Sequence, residues 1–475
     1  MDHTVARRNF LLGTLGAGSM LTLAACGGGD GDAAPPSGSI APSPTENPPA
    51  TAPSVAPAAS GPLPPVRLFS DDSMNFDALL GLGESGYGIS EVGEVLTAVD
   101  EANAAGATYD SYTTAFRAMG DRLATRSDEA AAAGRDVTSR ATALRAANYY
   151  TRALFFVLGS AQPELEPDVY EDVRRSWDRG VGAFRPAVEY LDVPYDDGSM
   201  PAWFFRPDDS GRARRTVIVN NGSDAQAVEL VAYGVQAALE RGWNAVVFEG
   251  PGQGSMLFRQ KIVFRPDWEN VIGPVIDAVS GRADVDEDRI AVTGWSFGGV
   301  LVPRAAAFDH RIAAIVADPG VVDGWEAFPE SIRAIVQPGD PQATNDIWNN
   351  EVVPVVSPQE RFTLAKRLEI FSVEALDAAR QGGLPTDFAS LAALIEQFEV
   401  RDTASQIRCP TLVVDYDDEQ FYPGQPEELF ELLTTERKDY VKLTAVDGAQ
   451  MHCAPMAPRH RNEVVFDWLD DVLPA

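Results

Sequence analysis

A serine between two glycines is the first feature of the chain that could do chemistry. Residues 294–298 read Gly-Trp-Ser-Phe-Gly, which puts Ser296 at the centre of a G-x-S-x-G pattern. An apolar run typical of a strand precedes the pattern, and residues typical of a helix follow it. The two glycines leave room for a tight turn that would expose the serine at its tip. The pattern therefore predicts that Ser296 is a nucleophile.

A serine hydroxyl needs a base, and the chain contains four histidines. His3 lies in an N-terminal segment of the export type, His310 precedes the sixth predicted strand, and His460 lies in or beside the last helix. His452 follows the eighth predicted strand, which brings it to the same sheet edge as Ser296. A base must reach its nucleophile from that edge, so His452 is the predicted base.

The negative charge that forms during such a reaction needs backbone N–H donors. One is expected from Phe297, the residue after the nucleophile. The second is expected from the loop "NNGSDAQ" after the third predicted strand, where Gly222 permits a turn. Either Ser223 or Asp224 could supply that N–H.

Four acidic residues occur together in "VVDYDDEQFYPGQ", residues 413–425, at the end of the seventh predicted strand. In an acidic chain such a run is commonly a solvated loop, but an acid at this position could also orient the histidine. Asp415 lies inside the strand run and is a poor candidate. The residue types leave Asp417, Asp418 and Glu419 open, together with Asp318 at the end of the sixth strand.

Two kinds of segment must position these residues. Residues 75–185 show helical periodicity, for example at Val92, Val95, Leu96 and Val99. From residue 186 onward, eight short β-branched runs alternate with helical stretches, which predicts a doubly wound, mostly parallel eight-stranded α/β sheet. We therefore expect a helical cap domain at 66–185 and a sheet core made of two segments, 186–320 and 406–475. A helical insertion at 321–405 would separate the two segments of the core. The insertion would lie over the ligand-binding edge of the sheet.

Several segments in order resemble one family. They are "FEGPGQG", "FRPDWENVIGPVIDAV", "GWSFGG", "FYPGQ" and the His-Cys pair, and "LRAANYYTRALFF" is similar to that family's N-terminal helices. The set resembles the capped α/β-hydrolases, which include FrsA-like esterases, dihydroxypseudooxynicotine hydrolase and the fungal polyketide-shortening hydrolases. The resemblance implies the α/β-hydrolase fold and a Ser-acid-His hydrolase of esters, or of C–C bonds beside a carbonyl. It implies a small, aromatic or polyketide-like substrate, and no metal or organic cofactor.

The resemblance also bears on the acid. Members of the family tend to carry Gly-x-x-Asp-x-x-x-Pro at the exit of the seventh strand. Counting back from Pro423 implies Glu419 at the acid position, while Tyr416 stands where the glycine is usual. Asp418 is the alternative acid. Among aromatic residues, Trp295, Phe258 and Trp325 are expected to form apolar walls of the substrate pocket.

The N-terminus and the composition bear on location and partners. Arg7 and Arg8 before an apolar run resemble a twin-arginine signal over residues 1–26, and "LAAC" resembles a lipobox that would be lipidated at Cys26. Residues 27–65 are rich in Gly, Pro, Ala and Ser and are typical of a disordered tether. These features predict an exported protein, lipid-anchored in a bacterial cell envelope, which contacts the membrane only through that anchor. A net charge of −32 argues against nucleic-acid binding.

Two other functions compete with the small-molecule hydrolase. A prolyl-oligopeptidase-like exopeptidase would share the catalytic core, but residues 75–185 are helical and too few for the β-propeller of such enzymes. A non-catalytic surface lipoprotein could retain a hydrolase fold for binding, although an intact serine, histidine and acid set argues against it. A homodimer is also possible.

Overall fold

The computed structural model describes residues 66–475 of the chain. The predicted signal and tether, with Cys26, lie outside the described residues. The described part begins with a helical region made of five helices, α1 Asp72–Gly83, α2 Val92–Ala104, α3 Tyr109–Ala132, α4 Asp136–Phe156 and α5 Glu166–Gly182. Capping side chains fix their starts, as where Thr108 Oγ1 accepts the N–H of Ser111 and the Ser111 hydroxyl accepts the N–H of Thr108.

An eight-stranded sheet follows, in the order β1-β2-β4-β3-β5-β6-β7-β8. Its strands are β1 Glu189–Tyr195, β2 Gly198–Phe205, β3 Arg214–Asn220, β4 Asn244–Phe248, β5 Val285–Trp295, β6 Ala314–Asp318, β7 Thr411–Tyr416 and β8 Lys438–Leu443. β1 and β2 pair with each other antiparallel, β2 pairs antiparallel with β4, and the other neighbours pair in parallel. The predicted fold class, an α/β-hydrolase fold with a mostly parallel sheet of eight strands, is confirmed.

Helices cover both faces of the sheet, so its central strands are buried on both sides. The covering helices are α6 Val235–Glu240, α7 Gly254–Phe258, α8 Glu269–Val279, α9 Gly298–Phe308 and, beyond the insertion, α15 Gln425–Leu432 and α16 Pro458–Val472. Every residue of β4 and β6 is buried. Along β3, Val217 and Val219 join one apolar core and Ile218 joins the other, as strand alternation requires.

A helical insertion separates β6 from β7. It contains α10 Glu330–Arg333, α11 Pro341–Ile347, α12 Pro358–Leu368, α13 Val373–Ala379 and α14 Phe388–Ile395. Ser357 caps α12 in a reciprocal pair with Glu360. The insertion follows the carboxyl end of β6, so it begins at the edge where the parallel strands β3, β5 and β7 also end. The candidate site lies at this edge.

Candidate active site

Ser296 lies on a strained turn between β5 and α9. Its φ is +58°, a left-handed conformation, and its N–H donates to the carbonyl of Asp318 at 2.7 Å. Any side chain at Gly294 would clash, because a Cβ there would lie 2.1 Å from the carbonyl oxygen of Gly298. The glycine before the serine therefore permits the sharp turn that holds the hydroxyl out of the strand.

His452 and Glu419 extend from Ser296 in one chain of contacts. His452 Nε2 lies 2.9 Å from Ser296 Oγ, and His452 Nδ1 lies 2.9 and 3.0 Å from the two carboxylate oxygens of Glu419. The side chains of His452 and Glu419 are 6% and 3% exposed, so solvent screens the pair weakly. A carboxylate at Nδ1 favours the tautomer whose Nε2 can accept the serine proton.

Backbone donors hold the Glu419 carboxylate. Its Oε1 accepts the N–H of Phe421 at 2.8 Å and the N–H of Tyr422 at 3.1 Å. Burial tends to raise the pKa of Glu419, but the neighbouring His452 and these N–H groups outweigh burial and lower the pKa below its usual value. Glu419 is therefore ionised at neutral pH.

The other acidic candidates have different partners. Asp418 is exposed and has a φ of +57°. Asp417 Oδ2 accepts the N–H of Ala445 at 3.0 Å, which ties the loop after β7 to the residues after β8. Asp415 accepts the Tyr440 hydroxyl at 2.6 Å and pairs with Lys442 at 2.8 Å.

Asp318 is also engaged elsewhere. It is fully buried, accepts the Arg461 guanidinium at 2.6 Å, and accepts the Tyr416 hydroxyl. Tyr416 stands where the family usually has glycine, so this departure from the family pattern is used to bind a buried acid. Among the sequence candidates, the structure brings only Glu419 to hydrogen-bonding distance of His452 within residues 66–475.

The loop after β3 lies directly against the serine turn. A Cβ at Gly222 would lie 2.7 Å from the Ser296 Cβ and 3.0 Å from the Phe297 nitrogen, so this close approach requires glycine. In the described chain, the N–H groups of Phe297 and Ser223 donate to no protein acceptor. The Ser223 hydroxyl donates to the Asp224 carboxylate at 2.7 Å. The structure thus places the three predicted donor residues, Phe297, Ser223 and Asp224, at the same cavity as Ser296.

A cavity of about 310 Å³ opens onto Ser296 and His452. The helical region, the sheet core and the insertion all contribute to its walls, including Phe76 and Phe155 from the first and Phe328 and Phe371 from the last. The accessible surface of the lining is mainly apolar, with several aromatic rings, which fits a compact, largely apolar substrate.

The structure places one of the three predicted wall residues at the cavity. Trp295 lines the cavity and stacks on Tyr233, with ring centroids 4.2 Å apart. Phe258 and Trp325 do not line it. Phe258 packs on Tyr170, with ring centroids 4.8 Å apart. Trp325 packs on the lining residue Phe328 at 5.1 Å, so it supports the wall from behind.

Charged residues of the cavity were missed by sequence reasoning. Arg152, Lys366 and Arg367 line it. Within "LAKRLEIF" the adjacent Lys366 and Arg367 look like the solvated face of a helix, and Arg152 stands in an Ala-rich helix with no local motif. Neither segment carries a local signal that marks these residues as cavity lining. Across residues 66–475, no group of three or more His, Cys, Asp or Glu side chains is arranged to hold a metal ion.

The fold and the serine turn define a capped hydrolase, and comparison with known proteins agrees. The profile described as "Alpha/beta hydrolase family" matches residues 229–467. Hydrolase LUC6 of Fusarium sp is 34% identical over 429 residues, which cover 85% of this chain and 97% of that protein. 20-hydroxy-prefusarin hydrolase FUS2 of Gibberella moniliformis is 28% identical over 427 residues, with the same coverage of 85% and 97%.

The crystal structure of 2,6-dihydroxy-pseudo-oxynicotine hydrolase superposes with a TM-score of 0.60 and 22% identity, over 84% of this chain and 96% of that one. It supports the fold. The chain belongs to the alpha/beta hydrolase family, and it is an enzyme that acts on small substrates. The family resemblance expected from the sequence is confirmed.

The predicted location is wrong. The two relatives named above, each matched over 97% of its length, come from Fusarium and Gibberella, which are fungi and have no bacterial envelope in which a lipoprotein could be anchored. The motif around Cys26 therefore misled the sequence reasoning, since short apolar segments with nearby arginines and a cysteine arise in unrelated contexts. Within residues 66–475, no helix has the length and apolar character needed to cross a bilayer.

Proposed function

We propose that the chain is a serine hydrolase that works through an acyl-enzyme, with Ser296 as nucleophile, His452 as base and Glu419 as the orienting acid. The observation that carries the proposal is the continuous contact from Glu419 through His452 to Ser296, with separations of 2.9 Å at both steps. The lowered pKa of Glu419 adds to it, because a carboxylate stabilises the imidazolium that forms during attack.

The steps follow from these positions. Ser296 Oγ bonds to the substrate carbonyl carbon while its proton moves to His452 Nε2. The N–H groups of Phe297 and of Ser223 or Asp224 stabilise the oxyanion. The bond to the leaving group then breaks, and His452 gives its proton to that group. Water, deprotonated by His452, cleaves the acyl-enzyme and restores the serine hydroxyl.

The proposed substrate is a small carboxylic ester, or a compound with a C–C bond beside a carbonyl. In the second case the leaving group is a carbanion or enolate, which takes its proton from the imidazolium. The cavity of about 310 Å³, with a mainly apolar accessible surface that includes several aromatic rings, supports an aromatic or polyketide-like substrate. The name of the Gibberella relative, a hydrolase of 20-hydroxy-prefusarin, agrees with a small-molecule substrate.

Labelling with a fluorophosphonate probe tests the serine. We expect the wild-type protein to be labelled and Ser296→Ala to remain unlabelled while keeping the same melting temperature. A panel of p-nitrophenyl esters and aryl 1,3-diketones then separates ester from C–C hydrolysis. A folded wild-type protein that takes no label would refute the serine mechanism.

The exopeptidase alternative is less well supported, because residues 72–182 form the helices α1 to α5 rather than propeller blades. A homodimer stays a prediction, which sedimentation velocity can measure.

A further inference from the structure

Arg367, on α12 of the insertion, is a positive charge without an acidic partner among residues 66–475. It lies deep in the protein, yet it keeps accessible surface because it lines the cavity. Within the described chain it forms no salt bridge, and its hydrogen bond is from Nη1 to the carbonyl of Ala327. A guanidinium carries five N–H donors, so most of the Arg367 donors have no protein acceptor in the described chain.

The other two basic side chains of the cavity, Arg152 and Lys366, each contact acidic side chains. Arg152 pairs with Asp77 at 2.9 Å and also with Glu229. Lys366 donates to Glu369 at 2.7 Å. Arg367 is the cavity cation that the described protein leaves uncompensated, and such a charge is costly in a low-dielectric site unless a ligand pairs with it.

Its position fits a role beside the reacting bond. The Arg367 guanidinium lies 5.7 Å from the centre of the Phe421 ring, and the Phe421 ring lies 4.8 Å from the ring of His452. One aromatic ring thus separates the guanidinium from the base. Burial lowers the pKa of Arg367, while the nearby Tyr422 and Asp224 act to raise it. A guanidinium remains charged despite such a shift.

We propose that Arg367 binds an anionic oxygen of the substrate, carried as a carboxylate or an enolate, and so selects substrates that are charged at one end and apolar at the other. This rests on the proposed hydrolase function. The planar fork of the guanidinium matches two oxygens of a carboxylate or of a 1,3-dicarbonyl enolate. The phenylalanines around it would contact the rest of the substrate.

Asp224 faces the same cavity and opposes this binding. Its carboxylate influences Arg367 electrostatically without lying in a salt bridge with it, and it accepts the Ser223 hydroxyl at 2.7 Å. Neutralising Asp224 should therefore strengthen the attraction for an anionic group, whereas removing Arg367 should abolish it. The two substitutions move selectivity in opposite directions.

The experiment compares the p-nitrophenyl monoesters of succinic, glutaric and adipic acids with p-nitrophenyl butyrate, valerate and hexanoate. The series varies the distance between the ester carbonyl and the carboxylate. The measured quantity is the selectivity ratio, which is kcat/KM for the anionic ester divided by kcat/KM for its neutral match. For the diacid with the highest wild-type ratio, this ratio should fall roughly tenfold to hundredfold in Arg367→Met, the range for a charge-assisted hydrogen bond. Arg367→Lys should retain part of the ratio. Arg361→Met, on the same helix but outside the cavity lining, is the matched control.

Competitive inhibition shows whether Arg367 binds a carboxylate or an enolate. Glutarate presents carboxylates and dimedone presents an enolate at neutral pH, and the inhibitor that weakens in Arg367→Met identifies the group. An unchanged ratio in Arg367→Met, or equal losses for both esters, would overturn the proposal and leave the serine mechanism standing. Failure of the folded wild type to react with a fluorophosphonate and to hydrolyse any ester or 1,3-diketone of the panel would instead refute the proposed function. If Arg367→Met does not fold, Asp224→Asn is the deciding variant. Its ratio of kcat/KM for anionic over neutral esters should rise, and an unchanged or lower ratio would contradict the proposal.

Discussion

Replacing Glu419 by Gln is the sharpest test of the proposed acid. The substitution keeps the size of the side chain but removes its charge and half of its acceptors. Glu419 Oε1 accepts two backbone N–H groups, from Phe421 and Tyr422, and both carboxylate oxygens lie within 3.0 Å of His452 Nδ1. A glutamine that keeps its oxygen on the backbone donors must turn its NH₂ toward Nδ1.

That orientation forces the wrong histidine tautomer. Nδ1 would then accept a hydrogen bond and Nε2 would carry the proton, so it could no longer take one from Ser296. The corresponding carboxylate-to-amide change in serine proteases lowers kcat by about 10⁴. We expect kcat of Glu419→Gln to fall by about 10³ to 10⁴, which is roughly 4 to 5 kcal/mol of transition-state stabilisation.

Asp418→Asn is the matched control. Asp418 precedes Glu419, is exposed, and in the described structure makes no contact with His452. Its kcat should stay within about threefold of wild type, as is usual for surface changes. Both variants are assayed on one p-nitrophenyl ester after circular dichroism shows equal folding. An Asp418→Asn loss as large as that of Glu419→Gln, or a Glu419→Gln loss below tenfold, would refute the assignment.

Three further predictions concern the surroundings of the site. Gly222→Ala should lower kcat at least 10²-fold in steady-state assays with a folded protein, because its Cβ would lie 3.0 Å from the Phe297 nitrogen and obstruct a proposed oxyanion donor. Arg461→Met should cost about 3 to 5 kcal/mol in urea unfolding, since it leaves the buried Asp318 without its cation. Burial, partly offset by Arg152, raises the pKa of Glu84 to about 8. Its contribution to stability is therefore present below pH 4.5 and is lost as pH rises through about 8, and Glu84→Gln should make the decline in unfolding free energy shallower by up to about 1.4 kcal/mol per pH unit.

The sheet was predictable because local rules and the tertiary structure agree there. Runs such as Val217-Ile218-Val219 are apolar on both faces, and the structure buries alternate residues in two different cores. The serine turn was predictable for a similar reason, since its glycines satisfy steric limits set within five residues. Prediction of His452 needed only the knowledge of which strand ends share an edge.

Helix faces were harder to predict. The apolar stripe of α2 suggested Val92, Val95, Leu96 and Val99, yet Val92 and Leu96 are 49% and 38% exposed. The buried face instead contains Val95 and Val99 with Ala98 and Ala102. Alanines permit close helix packing, and hydrophobic periodicity underweights them because their side chains are small.

The cavity charges depended on long-range packing that no local pattern encodes. Arg152, Glu229 and Arg367 come from three parts of the chain and meet only because the helical region and the insertion close over the sheet edge. Nothing within a few residues of Arg367 indicates that its helix turns toward a cavity. Sequence reasoning therefore named the residues of the proposed triad and missed the charged residues of the cavity.

The helical region does more than cover the cavity. Arg152 on α4 joins Asp77 on α1 to Glu229, and Glu229 Oε2 accepts the N–H of Gln226 at 2.7 Å. Gln226 belongs to the loop that begins at Gly222 and carries the proposed oxyanion donor. Loss of the helices would leave Glu229 a buried, unpaired charge beside that loop. The helical region thus supplies the cation that stabilises the loop, so the proposed oxyanion site and the substrate cavity both depend on it.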